Sequence, residues 1–160
     1  MTMTDPRTAY ARARQTLIDE IREHGHAITG SYVGRQALVL STIGARTGEP
    51  RTSPIAYSLD GDRYVIVASK GGAPEHPAWF HNIEADPVVT LEVNRLTVRA
   101  RATVAEGAER ERLWAQHVAV HPVIGEYPSR TIRVIPVIVL EPIDQDMVVT
   151  TSLGEAPADR

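Results

Sequence analysis

Short strand-like runs divided by turn residues dominate this chain from residue 37 onward, and they limit the folds open to it. The six runs are ALVLSTI, TSPIAYSL, RYVIVAS, VVTLEVN, LTVRARATVAE and IRVIPVIVLEPI. The turn DGD at 60–62 and the pair Asn94 and Arg95 each join two neighbouring runs closely enough for a hairpin. Because strands and helices do not alternate strictly, a doubly wound nucleotide-binding fold is disfavoured. The pattern predicts about six mostly antiparallel strands.

Three segments have the spacing of helices. The first starts at Asp5, carries apolar residues every three or four positions, and meets a stop signal at Gly25. The other two are PAWFHNIEAD, with Pro77 near its first turn, and GAERERLWAQHVAV. We therefore predict an α+β barrel with an N-terminal amphipathic helix within residues 1–28 and a barrel domain over residues 29–143. Residues 144–160 have little to bury and are predicted to form a mobile tail.

The composition supports one ordinary globular domain and excludes several kinds of chemistry. The chain has 160 residues, of which 42% are hydrophobic, enough to bury a core without covalent staples. It contains no cysteine, which excludes disulfides, thiolate metal sites and cysteine nucleophiles. No run approaches the roughly 18 apolar residues of a membrane span, and the N-terminus lacks the apolar core of a signal peptide. We therefore expect a cytoplasmic protein.

The formal charge of −3 argues against nucleic acid as a partner, so an anion must be met by a local group of basic residues. The N-terminal helix carries Arg7, Arg12 and Arg14, which could touch an acidic membrane surface at the inner face of the membrane. Asp19 and Glu20 dilute that charge. The sequence leaves weak peripheral membrane contact and simple packing against the barrel as alternatives.

The linker GARTGEPR between the first two runs is longer and more basic than a turn requires. Its glycines can adopt positive φ and expose backbone N–H groups, Thr47 adds a hydroxyl, and Arg46 and Arg51 add guanidinium groups that suit phosphate or carboxylate. The spacing of a phosphate-binding P-loop is missing, and no dinucleotide fingerprint occurs in the chain. The linker is either a clamp for an anionic ligand or an ordinary charged turn.

Lys70 is the single lysine of the chain and lies beside two glycines directly after a strand-like run, where an anion site or a solvated loop are both reasonable interpretations. His117 and His121 are four residues apart, as in some zinc sites, but no H-E-x-x-H frame surrounds them and Pro122 follows at once. A serine hydrolase is disfavoured because the chain has no G-x-S-x-G motif. We therefore predict no metal site.

Three ordered motifs together resemble a known family. The segments LSTIGARTGEPRTSPIAY, VIVASKGGAPEHPAWFHNIEADP and RVIPVIVLEP are similar to those of the deazaflavin-dependent nitroreductases of actinobacteria, from about residue 38 to residue 142. The resemblance implies a split β-barrel that binds the deazaflavin coenzyme F-420. It also implies hydride transfer from the reduced coenzyme to an electron-poor acceptor such as a quinone, an activated enone or a nitroaromatic.

The resemblance also assigns residues to the cofactor. The first loop would hold its anionic phosphodiester and glutamyl tail through Arg46, Thr47, Gly48 and Arg51. Further cofactor contacts would come from the ASKGG stretch and from residues lining the deazaflavin ring, namely Ser69, Lys70, Gly71 and Gly72, and Pro54, Ala56, Trp79 and Asn82. For Trp79 and Asn82, simple core packing and helix capping are the alternatives.

For the acceptor, the resemblance points to the segment HPVIGEYPSRT, with His121, Ile124 and Tyr127 in the substrate pocket. Ser69 and Tyr127 are the predicted catalytic residues, as hydrogen-bond donors to the charge that develops on the acceptor. Relatives carry more tyrosines in this segment and a larger residue at the position of Ala56, which predicts a wider, less polar pocket. Two alternatives stay open: a non-catalytic carrier of deazaflavin, flavin or haem with the same barrel, and a related flavin-dependent oxidase that binds FMN.

Overall fold

The computed structural model describes residues 5–143 and 149–150, which form three α-helices and eight strands. The helices are α1 Pro6–His24, α2 Ala78–Ala85 and α3 Gly107–Val120. The strands are β1 Ala37–Ile43, β2 Pro50–Ala56, β3 Ser58–Asp60, β4 Arg63–Val67, β5 Val88–Val93, β6 Leu96–Val104, β7 Val137–Pro142 and β8 Val149–Thr150. Two 3-10 helices, Lys70–Gly72 and Pro122–Arg130, were not predicted from the sequence.

Both ends of α1 follow local capping rules. The Asp5 side chain accepts a hydrogen bond from the Arg7 backbone N–H at 3.0 Å, and Pro6 occupies the first turn. At the other end Gly25 adopts a left-handed conformation with φ of 84°, and its N–H donates to the Ile21 carbonyl at 2.8 Å. The stop predicted at Gly25 is therefore confirmed.

The sheet is antiparallel throughout and follows the order β2-β1-β5-β6-β7-β4-β3, with β8 pairing beside β6. The strands at the two ends of this path, β2 and β3, are separated in the chain by Tyr57 alone. Two edges joined by one residue must lie close together, so the sheet curls into a barrel. The predicted α+β split β-barrel is confirmed.

The strand boundaries differ from the prediction in two places. The run TSPIAYSL was expected to be one strand, but Tyr57 leaves the ladder and donates its backbone N–H to the Gln36 carbonyl at 3.1 Å, which separates β2 from β3. The last strand begins only at Val137, because Pro136 before it has no N–H for the ladder. The tail predicted from residue 144 lies outside the described residues, except for Val149–Thr150, which pair with β6.

Apolar side chains form one cluster inside the barrel and two on its outer surface. The inner cluster includes Leu38, Leu40, Ile66, Leu91, Ile138 and Leu140. Outside, Ile18 and Ile21 of α1 pack on Ala37 and Val39 of β1, while α3 packs through Leu113 on β4 and β7. Within the described part of the chain, no helix has the length and apolar character needed to span a membrane.

Candidate functional site

A cleft of about 920 Å³ opens between α1, β2, the two 3-10 helices and the start of α2. It contains eight of the residues that the sequence analysis had placed in a site: Pro54, Ala56, Ser69, Lys70, Gly71, Trp79, Ile124 and Tyr127. Two further aromatic side chains also line it, Tyr10 from α1 and Tyr32 from the segment before β1. Its size is that of a site for a cofactor together with a small substrate.

The charge of the cleft is opposite to that of the chain. Arg14, Arg35 and Lys70 line it, and no aspartate or glutamate is found among the described lining residues. The whole chain carries a formal charge of −3. Because cations gathered in a cleft without acids raise the local concentration of anions, the site suits a negatively charged ligand.

The β2 wall of the cleft is built by the alternation of side chains along a strand. Pro54 lies opposite Val39 and Ala56 lies opposite Ala37 in the antiparallel ladder. Since paired residues share a face, Pro54 and Ala56 point to the outer side of the barrel, where α1 packs on β1. Ala56 therefore contributes a small apolar side chain to this wall of the cleft.

The loop that follows β4 owes its shape to a distant arginine. Arg133 donates to three backbone carbonyl groups, those of Ala73 at 2.9 Å, Ala68 at 3.1 Å and Ser69 at 2.8 Å. It also lies 2.9 Å from Nδ1 of His76. A planar guanidinium suits such a set of acceptors because its N–H groups point in fixed directions. Arg133, which does not line the cleft, therefore holds in place the loop that carries the cleft residues Ser69 and Lys70.

Lys70 and its two glycines adopt backbone conformations that are uncommon for other residues. Lys70 has φ of 46°, Gly71 of 64° and Gly72 of 85°. A side chain at Gly72 would meet the Cβ of Arg130 at 2.8 Å, so only glycine allows this close approach. Gly72 is buried under the 3-10 helix Pro122–Arg130 and does not line the cleft.

The Lys70 ammonium group forms an ion pair with Glu75 at 2.9 Å. This contact lowers the pKa of the Glu75 carboxyl group, chiefly through the hydrogen bond from Lys70. Both side chains are about half exposed, so the pair is accessible to a competing anion.

The linker between β1 and β2 closes on itself. The Gly44 N–H donates to the Glu49 carbonyl at 2.7 Å, and the Gly48 N–H donates back to Gly44 at 2.9 Å. The Thr47 hydroxyl accepts from the Glu49 N–H at 3.2 Å, and Arg51 lies 3.6 Å from the Glu49 carboxylate. The predicted anion-clamp residues do not line the cleft: Arg46, Thr47 and Gly48 are exposed on this loop, and Arg51 is exposed at the start of β2.

Asn82 lies behind this loop rather than in the cleft wall. Its side-chain oxygen accepts from the Ala45 N–H at 2.9 Å, and its nitrogen donates to the Thr42 hydroxyl at 3.0 Å. The residue is buried, so both polar atoms of the amide are used to join α2 to the loop. Asn82 positions the loop.

At the other end of the cleft, Ile124 and Tyr127 line the wall but His121 does not. His121 is buried, and its Nε2 lies 2.7 Å from the Tyr57 carbonyl oxygen. His117 is buried beside it, with Nδ1 2.7 Å from the Ser58 hydroxyl. Burial lowers the pKa of both imidazoles, that of His117 to about 3, so both are neutral at pH 7. The pair supports the segment that carries Tyr127.

Several cleft and support residues were not indicated by the sequence. Arg133 stands inside the motif RVIPVIVLEP, which the sequence analysis interpreted only as a strand. Tyr32 and Arg35 lie in a segment to which no element was assigned. Tyr10 was interpreted only as a helix residue, and Arg14 as a helix residue that could touch a membrane surface. The available signal in the sequence was the pair of glycines on either side of Tyr32. Gly30 and Gly34 adopt φ of 80° and 83° in the turns that bring this segment to the cleft.

The curled antiparallel sheet defines a split-barrel protein, and its cleft is lined by basic side chains. The family model described as F420H(2)-dependent quinone reductase matches residues 13–142. The chain belongs to this family.

Individual proteins agree with the family match. An F420H(2)-dependent quinone reductase of Mycobacterium tuberculosis (strain H37Rv) is 40% identical over 126 residues, which cover 72% of this chain and 78% of that protein. A second M. tuberculosis protein, named a putative F420H(2)-dependent quinone reductase, is 32% identical over 66% of this chain and 88% of its own length. A solved F420H2-dependent reductase, FDR-A, superposes with a TM-score of 0.61 at 36% identity, covering 67% of this chain and 95% of that one.

Proposed function

We propose that this protein transfers a hydride from reduced coenzyme F420 to a quinone-type small molecule. The observation that carries the proposal is the cleft itself, in which three basic side chains and several aromatic ones meet without a carboxylate among the described lining residues. A planar cofactor with an anionic tail needs this combination of flat apolar walls and cations. Membership in the F420H(2)-dependent quinone reductase family supports the same assignment.

The residues present fit the coenzyme. Pro54, Ala56 and Trp79 offer flat apolar surface for the ring, and Ser69, Lys70 and Gly71 border it. Arg46 lies on the exposed loop before β2, and Arg51 lies at the start of β2, at the end of the strand away from Pro54 and Ala56. Both would meet the anionic tail. The coenzyme supplies the two-electron hydride chemistry when bound.

The protein contributes position, a dry surface and hydrogen-bond donors. Ile124, Tyr127 and Tyr32 form an amphipathic wall on which an aromatic acceptor can stack while water is excluded. The Ser69 and Tyr127 hydroxyl groups are the proposed donors to the acceptor oxygen on which negative charge develops. Electrostatic stabilisation of that charge is the main way in which this chain can accelerate the reaction.

Turnover separates this proposal from a carrier with the same fold. The purified protein is mixed with reduced F420 and menadione, and the return of oxidised-cofactor absorbance is followed. We expect turnover with the wild type, whereas a carrier would bind the coenzyme without it. A protein that is yellow on purification and holds FMN would instead support the flavin-dependent alternative.

Tyr127→Phe tests the assigned donor, since it removes one hydroxyl and keeps the ring. We expect kcat/KM for menadione to fall about 10- to 100-fold, with coenzyme affinity nearly unchanged. Tyr10→Phe, at the exposed edge of the same cleft, is the matched control and should stay near wild type. If Tyr127→Phe equals wild type, the proton is donated by Ser69 or by solvent.

Weak contact of α1 with an anionic membrane is a further part of the proposal. Tyr10 and Arg7 are strongly exposed on this helix, which suits a surface that inserts an aromatic ring beside acidic headgroups. Sedimentation with phosphatidylglycerol vesicles should carry down wild type more than an Arg7→Glu, Tyr10→Ser double variant. Equal amounts in the pellet would contradict the contact.

A further inference from the structure

The segment between α1 and β1 brings a stacked arginine to the cleft. Arg35 lines the cleft together with Tyr32, and its backbone N–H donates to the Tyr32 carbonyl at 3.0 Å, which closes a turn between the two residues. The guanidinium carbon of Arg35 lies 4.5 Å from the centre of the Tyr32 ring. At this distance a cation and an aromatic face attract each other. Arg35 is therefore held by a ring face.

The other two basic side chains of the cleft already have polar partners. Arg14 donates to the Thr52 carbonyl and to the Ser53 hydroxyl, and Lys70 pairs with Glu75. The Arg35 guanidinium makes no hydrogen bond or ion pair with residues 5–143 or 149–150. Stacking occupies the face of a guanidinium and leaves its N–H groups at the edge available. Arg35 can therefore bind an anionic group without first losing a polar partner among these residues.

The titratable groups around Arg35 are neutral at pH 7, so its charge is not cancelled locally. Burial raises the pKa of Tyr32, which keeps its phenol protonated beside the guanidinium. Burial also lowers the pKa of His117 and His121, and the charge of Arg35 acts on both in the same direction. Tyr127 lies close enough to Tyr32 to contribute to this raised pKa. At the acceptor end Arg130 stacks on Tyr127 but pairs with Glu126, whereas the Arg35 charge lies in a cleft with no carboxylate among its described lining residues.

We propose that Arg35 is a catalytic and specificity-determining residue that binds the acceptor oxygen on which negative charge accumulates. This inference rests on the proposed function. A hydride carries two electrons and one proton. A quinone that accepts a hydride therefore becomes a quinol monoanion, and one further proton, from Tyr127 or solvent, completes the quinol. The N–H groups of Arg35 stabilise the monoanion and the transition state that resembles it. The same charge makes the cleft prefer quinones that carry an acidic substituent.

A matched pair of naphthoquinones separates charge from shape. 2-Hydroxy-1,4-naphthoquinone is ionised at pH 7 and mimics the charge of the monoanion, whereas menadione has a methyl group at that position and is neutral. Calorimetric titrations are run on the full chain, with and without oxidised F420, for wild type, Arg35→Met, Arg35→Lys and the exposed control Arg12→Met. We expect Arg35→Met to weaken binding of the anion about tenfold and to change menadione affinity less than about twofold.

Kinetics give a second readout. With reduced F420 and menadione, Arg35→Met should lower kcat about 10- to 100-fold while KM changes little, because the contact strengthens only as charge develops. Arg35→Lys should recover part of both effects, since it keeps the charge and loses the planar stack on Tyr32. Arg12→Met should match wild type in both assays.

Two results would overturn the inference: equal affinity of wild type and Arg35→Met for the anionic quinone, or an equal loss for both quinones. Circular dichroism checks each variant, and Arg35→Gln, which keeps polar donors without the charge, replaces Arg35→Met if that variant does not fold. Should wild type fail to reduce menadione, the proposed function fails. The titrations with the two quinones still decide whether Arg35 selects an anion.

Discussion

The two loops proposed to meet the coenzyme differ in how far they depend on remote side chains. The loop from Gly44 to Glu49 is closed by hydrogen bonds among its own residues. The loop from Ala68 to Ala73 depends on Arg133, which lies 60 to 65 residues further along the chain and binds three of its carbonyl groups. The first loop receives one remote side-chain bond, from its Ala45 N–H to Asn82, whereas the second has turn bonds of its own but also binds Arg133 through three carbonyl groups.

This difference has consequences for stability. An exposed loop closed mainly by its own turn bonds depends less on the rest of the barrel, so substitutions of its exposed residues should affect ligand binding more than folding. A loop held by a half-buried arginine depends on the segment before β7, which carries that arginine. Removal of the guanidinium should lower the stability of the fold, because several backbone acceptors lose their partner.

Arg133→Met should have the largest effect. The variant keeps an unbranched side chain of similar length but loses the donors to Ala68, Ser69 and Ala73 and the contact with His76. We expect the free energy of unfolding to fall by about 3 kcal/mol, since several hydrogen bonds from a charged donor are lost together. Urea denaturation measures this change. Coenzyme affinity should fall as well, because Ser69 and Lys70 lose their support.

The comparison requires a matched substitution in the other loop. Thr47→Val keeps the size of the side chain and removes the hydroxyl that accepts from the Glu49 N–H on an exposed loop. Its cost should be below about 1 kcal/mol, the typical net value of one such bond. If Arg133→Met and Thr47→Val were equally destabilising, the proposed contrast between remote and local support would be wrong.

A second prediction concerns the buried pair His117 and His121. The pair supports the segment that carries Tyr127, as Arg133 supports the loop from Ala68 to Ala73. The pKa of His117 is lowered to about 3 by burial, then by the charges of His121 and Arg35. A histidine in the unfolded chain takes up a proton near pH 6.5, whereas folded His117 does so only near pH 3. The unfolded state therefore binds more protons between these values, and stability must fall as the pH is lowered through this range.

Between pH 7 and pH 5 we expect the loss from His117 to be about 2 kcal/mol, with His121 adding to it in the same direction. Asp60, whose pKa is lowered by hydrogen bonds from Arg112 and Arg63, loses its contribution only at more acidic pH. Urea denaturation at the two pH values measures the slope. His117→Gln should flatten it, and His24→Gln, at an exposed position, should not. A wild-type stability that is constant from pH 7 to pH 5 would contradict the assignment.

Most of the barrel could be predicted because its signals are local. Strand alternation, the turn at residues 60–62 and the stop at Gly25 each depend on neighbouring residues, and the structure agrees with them. The break at Tyr57 could not be seen, since it arises only when the two ends of the sheet meet across the closed barrel. The same limit applies to His121, which was expected in the pocket but is directed to the Tyr57 carbonyl.

The residues of the candidate site also fall into two groups, those that a local motif indicates and those that only packing brings to the cleft. Lys70, Gly71 and the β2 residues Pro54 and Ala56 belong to recognisable motifs and do line the cleft. The electropositive character of the cleft depends equally on Arg14 and Arg35, whose segments approach it only through packing of α1 on β1. No periodicity or spacing in the sequence brings these residues together, so their role becomes visible only in three dimensions.

The smallest expected effect concerns Arg51, which lies at the start of β2 beside the self-closed loop. Its side chain is 52% exposed and already lies 3.6 Å from the Glu49 carboxylate, so binding the coenzyme tail must compete with this ion pair. We expect Arg51→Ala to weaken F420 binding only about fivefold, because an exposed charge contact is screened by water and salt. Stability should change by less than about 0.5 kcal/mol. Fluorescence titration and urea denaturation measure the two quantities.

Glu49→Gln makes this last prediction sharper, because it should act in the opposite direction. The variant removes the carboxylate that competes for Arg51 and lowers the negative charge of the loop, so F420 should bind about twofold to threefold more tightly. The affinity changes caused by Arg51→Ala and by Glu49→Gln, each relative to wild type, should both become smaller when the salt concentration is raised from about 0.05 M to about 0.5 M. If Arg51→Ala and Glu49→Gln shift the affinity in the same direction, or if neither shift depends on salt, the tail is held elsewhere. Lys70 and Arg35, both in the cleft, would then be the cations to test.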